Sequence, residues 1–179
     1  MDEQISHPVK ILLADDDAGH RLLIRKNLQR GTGRFDIEEA DNGANCLEKI
    51  RNEKFELVLL DYSLPDVSGL DVLAVIRKER EGIPVIMITG QGNEKVVREA
   101  IRLGASDYIS KGPEFLDHLY SVVERTLSQQ ALKSQLDRSK KEILLRSEEL
   151  AILLEATTAI SSHLDLDRVL GILSGKKKK

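Results

Sequence analysis

The chain has 179 residues, of which 41% are apolar and 32% are charged, and its formal net charge is -3. This composition is typical of a globular protein, and no apolar run approaches the roughly 18 residues that a membrane-spanning helix requires. The length is sufficient for one ordinary domain and an extension, which excludes a second complete enzyme domain.

Charge is distributed unevenly along the chain. Residues 1–127 contain 17 basic and 23 acidic side chains, a balance of -6, whereas residues 128–179 contain 10 basic and 7 acidic ones, a balance of +3. Nucleic-acid binding requires positive side chains that cluster on one face. The acidic first part therefore argues against nucleic acid as a direct partner.

The amino terminus and the cysteine content indicate the compartment. The chain does not begin with the charged and apolar segments of a secretion signal, which predicts a cytoplasmic protein. The single cysteine, Cys46, excludes an internal disulfide and is consistent with a reducing compartment. Because Cys46 falls in a predicted amphipathic helix, we interpret it as a structural residue.

Five short apolar runs follow one another, and a segment with helical character comes after each. Residues 9–14, 57–60 and 85–88 are almost uninterrupted aliphatic stretches, typical of strands buried on both faces of a parallel sheet. Residues 35–39 alternate apolar and acidic side chains, which predicts a half-exposed edge strand, and residues 107–110 give a weaker fifth strand. The alternation of strand and helix predicts an open α/β sheet with right-handed crossovers.

Caps and periodicity predict how the helices begin and which faces they bury. Asp17 is suited to cap the first helix, and Ser68 or Asp66 to cap the third. Pro113 is suited to the first turn of the fifth helix. Helical spacing places three apolar residues on one face of the fourth helix (Val97, Ala100 and Ile101) and three on one face of the fifth (Leu116, Leu119 and Val123).

Chemically active side chains follow the predicted strands. Asp15 and Asp16 come after the first strand, Asp61 after the third, Thr89 after the fourth and Lys111 after the fifth. In an open α/β sheet the carboxyl ends of the strands line one crevice, so we expect these side chains to meet.

Three carboxylates in one crevice require a positive partner, since each pair about 4 Å apart costs about 4 kcal/mol at an effective dielectric of about 20. Mg²⁺ is suited to this role, because it binds through one or two carboxylates together with waters and phosphate oxygens. Lys111 adds a charge that pairs with a phosphoryl oxygen. Asp61 can then act as a nucleophile toward phosphorus, and the Thr89 hydroxyl can bond to the new phosphoryl group.

These residues stand in a pattern that resembles the receiver domain of two-component response regulators. The pattern comprises Asp15 and Asp16, the segment DYSLPDVSG at residues 61–69, Thr89 with Gly90, and the segment YISK at residues 108–111. The resemblance covers residues 10–127 and implies a flavodoxin-like, doubly wound sheet of five parallel strands in the order 2-1-3-4-5. A long C-terminal helix is expected to follow.

The resemblance also implies a role for each site residue: Asp61 as phosphoacceptor, Asp15, Asp16, Asp61 and the backbone carbonyl of Ser63 as Mg²⁺ ligands, Thr89 and Tyr108 as switch residues, and Lys111 as the phosphate-pairing lysine. It implies a phosphorelay protein, which takes a phosphoryl group from a sensor histidine kinase or a phosphotransfer protein. Such a protein is not an enzyme in the usual sense, because it catalyses only its own phosphotransfer and dephosphorylation.

The sequence departs from the family pattern beside Lys111, where the family usually has proline directly after the lysine. Here Gly112 comes before Pro113, so we expect that loop to differ. Two alternatives remain at this point. A flavin-binding flavodoxin would need a phosphate-cradling loop after the first strand, where three aspartates stand instead. An unphosphorylated pseudo-receiver would act only as a dimerising interaction module.

The four histidines are not assigned to the site. They lack metal-ligand spacing, so we interpret them as ordinary surface or half-buried residues; they are His7, His20, His118 and His163. The residues after His163 also lack the motif that surrounds the phosphorylated histidine of a kinase.

The second part of the chain predicts one long helix, because residues 121–170 contain neither proline nor glycine. Apolar side chains recur there every seven residues in one position (Leu136, Ile143 and Leu150) and fill a companion position (Leu132, Leu153 and Ile160) that Ser139 and Arg146 interrupt. This spacing favours a parallel coiled-coil homodimer over a helix that folds back on its own first domain.

We therefore divide the chain into an N-terminal tail (1–8), a receiver domain (9–127), a helical linker and candidate coiled coil (128–153), a segment that resembles the opening helix of a GAF domain (154–175) and a lysine tail (176–179). A complete GAF domain does not fit in the residues that follow, so we expect either a fragment of a longer signalling protein or an added end. We interpret the lysine run as a solvated tail rather than a membrane-binding patch.

Overall fold

The computed structural model describes residues 7–30, 34–80, 82–90 and 94–174, except for the side chains of residues 156, 157 and 159–174. The chain divides into two units, Met1–Ala131 and Leu132–Lys179. The first unit contains the sheet and the candidate site.

Five strands alternate with five helices in chain order. They are β1 (Val9–Ala14), α1 (Ala18–Leu28), β2 (Phe35–Ala40), α2 (Gly43–Asn52), β3 (Leu57–Asp61), α3 (Gly69–Glu79), β4 (Val85–Gly90), α4 (Glu94–Arg102), β5 (Asp107–Lys111) and α5 (Phe115–Ser174). All strand pairs are parallel, and the sheet order is β2-β1-β3-β4-β5. The predicted flavodoxin-like fold with its long C-terminal helix is thus confirmed.

The sheet has an apolar layer on each face, and successive residues of a strand belong to opposite layers. Leu12 belongs to the layer formed with α2, α3 and α4, whereas Ile11 and Leu13 belong to the layer formed with α1 and α5. This alternation follows from the two-residue period of a strand. It explains why the central strands are aliphatic throughout, while the edge strand β2 buries Phe35 and Ile37 and leaves Asp36 exposed.

Side chains from the loops cap the amino ends of the first three helices. Asp17 caps α1 and Ser68 caps α3, as their positions predict. Asp66 serves a different helix, because its carboxylate oxygens accept hydrogen bonds from the backbone N–H groups of Gly43 (2.8 Å) and Ala44 (2.9 Å) at the start of α2. These two bonds lower the pKa of Asp66 and tie the loop after β3 to α2.

The prediction that Pro113 lies in the first turn of the fifth helix was wrong. Helix α5 begins at Phe115, whose N–H donates to the Gly112 carbonyl at 3.1 Å. A turn over residues 112–115 therefore precedes the helix, and Pro113 lies within that turn.

The expected inward face of α4 also needs correction. Ile101 is 49% exposed, and the buried residues of this helix are Val96 and Ala100. The two buried residues are four positions apart in a helix of nine residues, so they form one narrow buried stripe.

Burial explains the role of Cys46. The side chain is fully buried in the layer that α2 forms with the sheet. This burial raises the pKa of the Cys46 thiol to about 12, so the reactive thiolate is not accessible at neutral pH.

Polar contacts fasten the first part of α5 to the sheet of the first unit. Arg34, just before β2, donates to both carboxylate oxygens of Glu124 at 2.6 and 2.7 Å. Arg125 pairs with Asp107 at the start of β5. Both contacts lie at the amino ends of the strands.

In the part of the chain that the structure describes, the second unit is the continuation of α5. Its leucine and isoleucine side chains are exposed as far as they are described, up to Leu154. The predicted GAF-like segment is helical through Ser174, but most of its side chains lie outside the described part, so this resemblance stays a prediction. In the described residues, no helix has the length and hydropathy that a membrane span requires.

Candidate functional site

The carboxyl ends of three strands bring the candidate residues to one edge of the sheet. Asp15 directly follows β1, Asp61 is the last residue of β3 and Lys111 is the last residue of β5. The backbone N–H of Asp15 donates to the Ala40 carbonyl at 3.1 Å, which continues the pairing of β1 with β2 to the end of the strand.

Three carboxylates form a cluster at this edge. One oxygen of each of Asp15, Asp16 and Asp61 lies within 4.8 Å of the other two. Asp15 is fully buried and Asp61 is 3% exposed, whereas Asp16 is exposed. Asp15 is further held by the backbone N–H of Asp17, which donates to its Oδ1 at 2.8 Å.

Lys111 supplies the positive charge beside this cluster. Its Nζ donates to Oδ2 of Asp15 at 2.9 Å and to Oδ2 of Asp61 at 2.8 Å. The side chain is 23% exposed, so solvent screens these contacts only in part. The residue therefore bridges two strand ends through two charge-assisted hydrogen bonds.

The surroundings shift the pKa values of both partners. Burial raises the pKa of Asp61 above its ordinary 3.8, and Asp15 adds to this, although the hydrogen bond from Lys111 opposes it. Burial by itself lowers the pKa of Lys111, but the hydrogen bonds to Asp61 and Asp15 outweigh it and raise the pKa above 10.5. The ammonium charge of Lys111 is therefore retained at neutral pH.

The donor set of the cluster fits a magnesium ion. Mg²⁺ is a hard cation that prefers oxygen ligands and retains several waters. The cluster offers one carboxylate oxygen from each of three residues, and one of these residues, Asp16, is exposed to solvent. Ser63 lies two residues beyond Asp61, in the exposed part of the loop after β3. Its backbone carbonyl stays a predicted ligand.

Thr89 and Tyr108 lie together on the neighbouring strands β4 and β5. Thr89 is 1% exposed and Tyr108 is 44% exposed. Both line a groove of about 400 Å³ between α4 and β5, which also contains Val97. The two predicted switch residues are thus neighbours of one groove, whereas Asp15, Asp16, Asp61 and Lys111 form the cluster.

The additional Gly112 does not move Lys111 away from the cluster, since its ammonium group contacts both buried carboxylates. In the ranges that the structure describes, no peptide bond is cis. Gly112 and Pro113 lie in the turn that precedes α5.

Sequence reasoning missed one polar neighbour of the cluster. Nδ1 of His20 lies 3.3 Å from Nζ of Lys111 and 3.7 Å from Oδ2 of Asp15. A sequence signal existed, because His20 stands in the first turn of the helix that Asp17 caps, and that end of the helix points to the carboxyl edge of the sheet.

Comparison with known proteins assigns the family. Residues 11–124 match the response regulator receiver domain, and the chain therefore belongs to this family of two-component signalling proteins. The chemotaxis protein CheY-3 of Vibrio cholerae is 34% identical over 113 residues, which is 62% of this chain and 86% of that protein. Receiver domains are signalling modules rather than enzymes acting on separate substrates.

Longer relatives and solved structures agree with this assignment. The transcriptional regulatory protein ZraR of Escherichia coli is 32% identical over 120 residues, which is 67% of this chain but 26% of that regulator, so the chain spans about a quarter of its length. A CheY-like receiver domain protein from Methanospirillum hungatei superposes with a TM-score of 0.65 at 30% identity, covering 71% of this chain and 99% of the other. NtrX from Brucella abortus superposes with a TM-score of 0.68 at 33% identity, and the superposition covers 74% of this chain and 29% of the NtrX chain.

Proposed function

We propose that the first unit accepts a phosphoryl group on Asp61 from a sensor histidine kinase or a phosphotransfer protein. The observation that carries this proposal is the position of Lys111, whose ammonium group bridges Asp15 and Asp61 inside a cluster of three carboxylates. A bridging cation and an oxygen-rich metal site beside one carboxylate are what phosphoryl transfer to that carboxylate requires.

In the proposed reaction, a carboxylate oxygen of Asp61 attacks phosphorus, and the bond from phosphorus to the donor breaks. The product is an acyl phosphate on Asp61. Lys111 turns one N–H group from the carboxylate to a phosphoryl oxygen and so compensates its negative charge. Asp15, Asp16 and Asp61, with the Ser63 carbonyl, would hold a Mg²⁺ ion, which would supply further charge compensation for the phosphoryl oxygens.

We further propose that Thr89 and Tyr108 transmit the modification. The hydroxyl of Thr89 donates a hydrogen bond to the phosphoryl group, and the end of β4 moves with it. The groove of about 400 Å³ beside Thr89 offers space for the ring of Tyr108, which is 44% exposed before the change. The surface of α4 and β5 is thereby altered, and this change controls the C-terminal helical segment.

Phosphorylation by a small donor tests the assignment of Asp61. With acetyl phosphate and Mg²⁺, intact-protein mass spectrometry is expected to detect the addition of one phosphoryl group, and Asp61→Asn is expected to abolish it because the amide oxygen is a poor nucleophile. Asp36→Asn, at an exposed position of the edge strand, is the matched control and keeps the modification. A folded wild-type protein that stays unmodified would instead favour the pseudo-receiver.

The helix of the second unit supports a proposal about the partner. Five apolar side chains on the predicted coiled-coil seam are between 52% and 69% exposed, namely Leu132, Leu136, Ile143, Leu150 and Leu153. A single helix cannot bury such a seam within itself. We propose that a second copy of the chain covers it in a parallel pair, because the seven-residue spacing is that of two identical supercoiled helices.

A pair of adjacent substitutions tests the homodimer. Ile143→Asp is expected to weaken dimerisation about a hundredfold, from about 1.5 kcal/mol of lost isoleucine burial in each copy. Leu144→Asp places the same charge one residue further on, at another well-exposed position that lies outside the seam, and is expected to leave the dimer intact. Sedimentation equilibrium measures both constants. Equal effects of the two substitutions, or a monomeric wild-type protein, would contradict the seam.

A further inference from the structure

The Lys111 ammonium group has three N–H groups, and the structure provides an acceptor for each. Two face Oδ2 of Asp15 and Oδ2 of Asp61, at 2.9 and 2.8 Å. The third acceptor is Nδ1 of His20 at 3.3 Å. His20 and Lys111 line the same groove of about 310 Å³ beside the carboxylate cluster, together with Leu23.

The direction of the contact with His20 follows from the chemistry of the two groups. An ammonium group has no lone pair and can only donate, so Nδ1 of the imidazole must be the acceptor. In a neutral imidazole that accepts at Nδ1, the ring proton lies on Nε2. A ring with its proton on Nδ1 would point a second donor at Lys111. The distance of 3.7 Å from Nδ1 to Oδ2 of Asp15 is too long for a competing hydrogen bond.

The backbone around His20 is fixed on both sides of the residue. Its N–H donates to Oδ1 of Asp17 at 3.0 Å, which is the N-cap bond of α1. The next residue, Arg21, donates to the Asp15 carbonyl at 2.7 Å and to Glu39 at 3.0 Å. The first turn of α1 is therefore held against the acidic loop, and the imidazole is presented to Lys111 at a defined position.

The three acceptors of Lys111 differ in whether they also take part in the proposed metal binding and phosphoryl transfer. Asp15 and Asp61 are the carboxylates that the proposed metal site and the phosphoryl group engage, whereas His20 takes part in neither. We propose that His20 is a positioning residue, whose Nδ1 holds the Lys111 ammonium group beside Asp61 while phosphoryl transfer occupies the two carboxylates. This inference rests on the proposed function of Asp61.

Three substitutions separate positioning from a structural role. His20→Leu removes the acceptor and is expected to slow both phosphorylation by acetyl phosphate and the later loss of the phosphoryl group. Each rate is expected to fall about three- to tenfold, which corresponds to the loss of one ordinary hydrogen bond. His20→Asn is expected to retain rates near those of the wild type, because Oδ1 of asparagine stands the same number of bonds from Cα as Nδ1. Leu23→Ala, in the same groove, removes only apolar bulk and is expected to keep both rates.

The side chain of His20 is 45% exposed, so these variants are expected to fold, which thermal unfolding checks. Unchanged rates in His20→Leu would overturn the inference, and so would His20→Asn that is as slow as His20→Leu. If the wild-type protein takes up no phosphoryl group, the proposed function and the positioning role fail together.

A spectroscopic measurement tests the contact without any phosphorylation. Proton–nitrogen correlation spectra of the imidazole are expected to show the proton of His20 on Nε2, and the Nδ1 resonance is expected to shift in Lys111→Met. A proton on Nδ1, or a resonance that does not change in Lys111→Met, would overturn the contact even in a protein that accepts phosphoryl groups at Asp61. The failure of the inference is thus distinguishable from that of the proposed function.

Discussion

Replacing Lys111 with methionine is expected to lower the free energy of unfolding of the metal-free protein by about 3 kcal/mol. The substitution keeps most of the side-chain volume and removes the charge. Asp15 is fully buried and Asp61 is 3% exposed, and both lose the donor that lies 2.9 and 2.8 Å from them. The loss is large because two neighbouring buried carboxylates are then left without a counter-charge.

Addition of Mg²⁺ distinguishes this explanation from a packing defect. Because the divalent ion supplies the missing positive charge, saturating Mg²⁺ is expected to stabilise Lys111→Met more than the wild-type protein. Urea unfolding with Mg²⁺ and with a chelator measures the difference. Lys54→Met, at an exposed position, is the control and is expected to change stability by less than about 0.5 kcal/mol. A loss that Mg²⁺ does not reduce would contradict the electrostatic cause.

The pH dependence of the same pair has a defined sign. In the wild-type protein the pKa of Lys111 is raised above 10.5. The stabilisation of the folded state by charged Lys111 is therefore complete below pH 10.5 and is lost as the pH rises through the folded-state pKa. The pKa of Asp61 is raised above 3.8, so protonation on acidification favours the folded state near that pH. The deficit of Lys111→Met is therefore expected to be greatest at neutral pH and to narrow at both extremes.

The sheet was predictable from the sequence because its central strands are buried on both faces. A strand with apolar neighbours above and below must be aliphatic throughout, and β1 accordingly has the predicted bounds Val9–Ala14. The alternation of Phe35 and Ile37 with acidic residues likewise identified β2 as an edge strand. Helix details were less predictable, since the exposure of Ile101 depends on how far a nine-residue helix contacts the sheet.

The meeting of Asp15, Asp16, Asp61 and Lys111 was expected because parallel strands end at one edge of a sheet. The sequence places His20 near the carboxyl edge of the sheet, but its contact with Lys111 was not expected, because it depends on how the first turn of α1 is oriented relative to the end of β5. The bonds from α2 to Asp66 have the same origin, as they join residues 22 and 23 positions apart. Such contacts depend on how the helices and strands pack against one another, and this packing cannot be inferred from hydrophobic periodicity or from local side-chain chemistry.

Replacing Gly69 with alanine is expected to be among the most damaging single-methyl changes in the first unit. A Cβ at this position would lie 2.2 Å from the backbone oxygen of Asp61 and 2.9 Å from Cα of Tyr62. The N–H of Gly69 donates to the Tyr62 carbonyl at 2.8 Å, so the two backbone segments are already in contact. We expect a loss of about 3 kcal/mol or more in unfolding free energy, because backbone atoms cannot rotate away from an added methyl group.

The same substitution is expected to impair the proposed chemistry. Relief of the overlap requires residues 61–62 and the start of α3 to move apart. We expect part of this movement to displace Asp61, and a small displacement of the nucleophile reduces the rate of phosphorylation by acetyl phosphate even in molecules that remain folded. Gly82→Ala is the matched control, since a Cβ there meets no atom within 4 Å, and its stability and rate are expected to stay near those of the wild type. Urea unfolding together with the phosphorylation rate measures both effects. If Gly69→Ala were as stable and as reactive as Gly82→Ala, the close approach of residues 61–62 to α3 could not be a feature that fixes the phosphoacceptor.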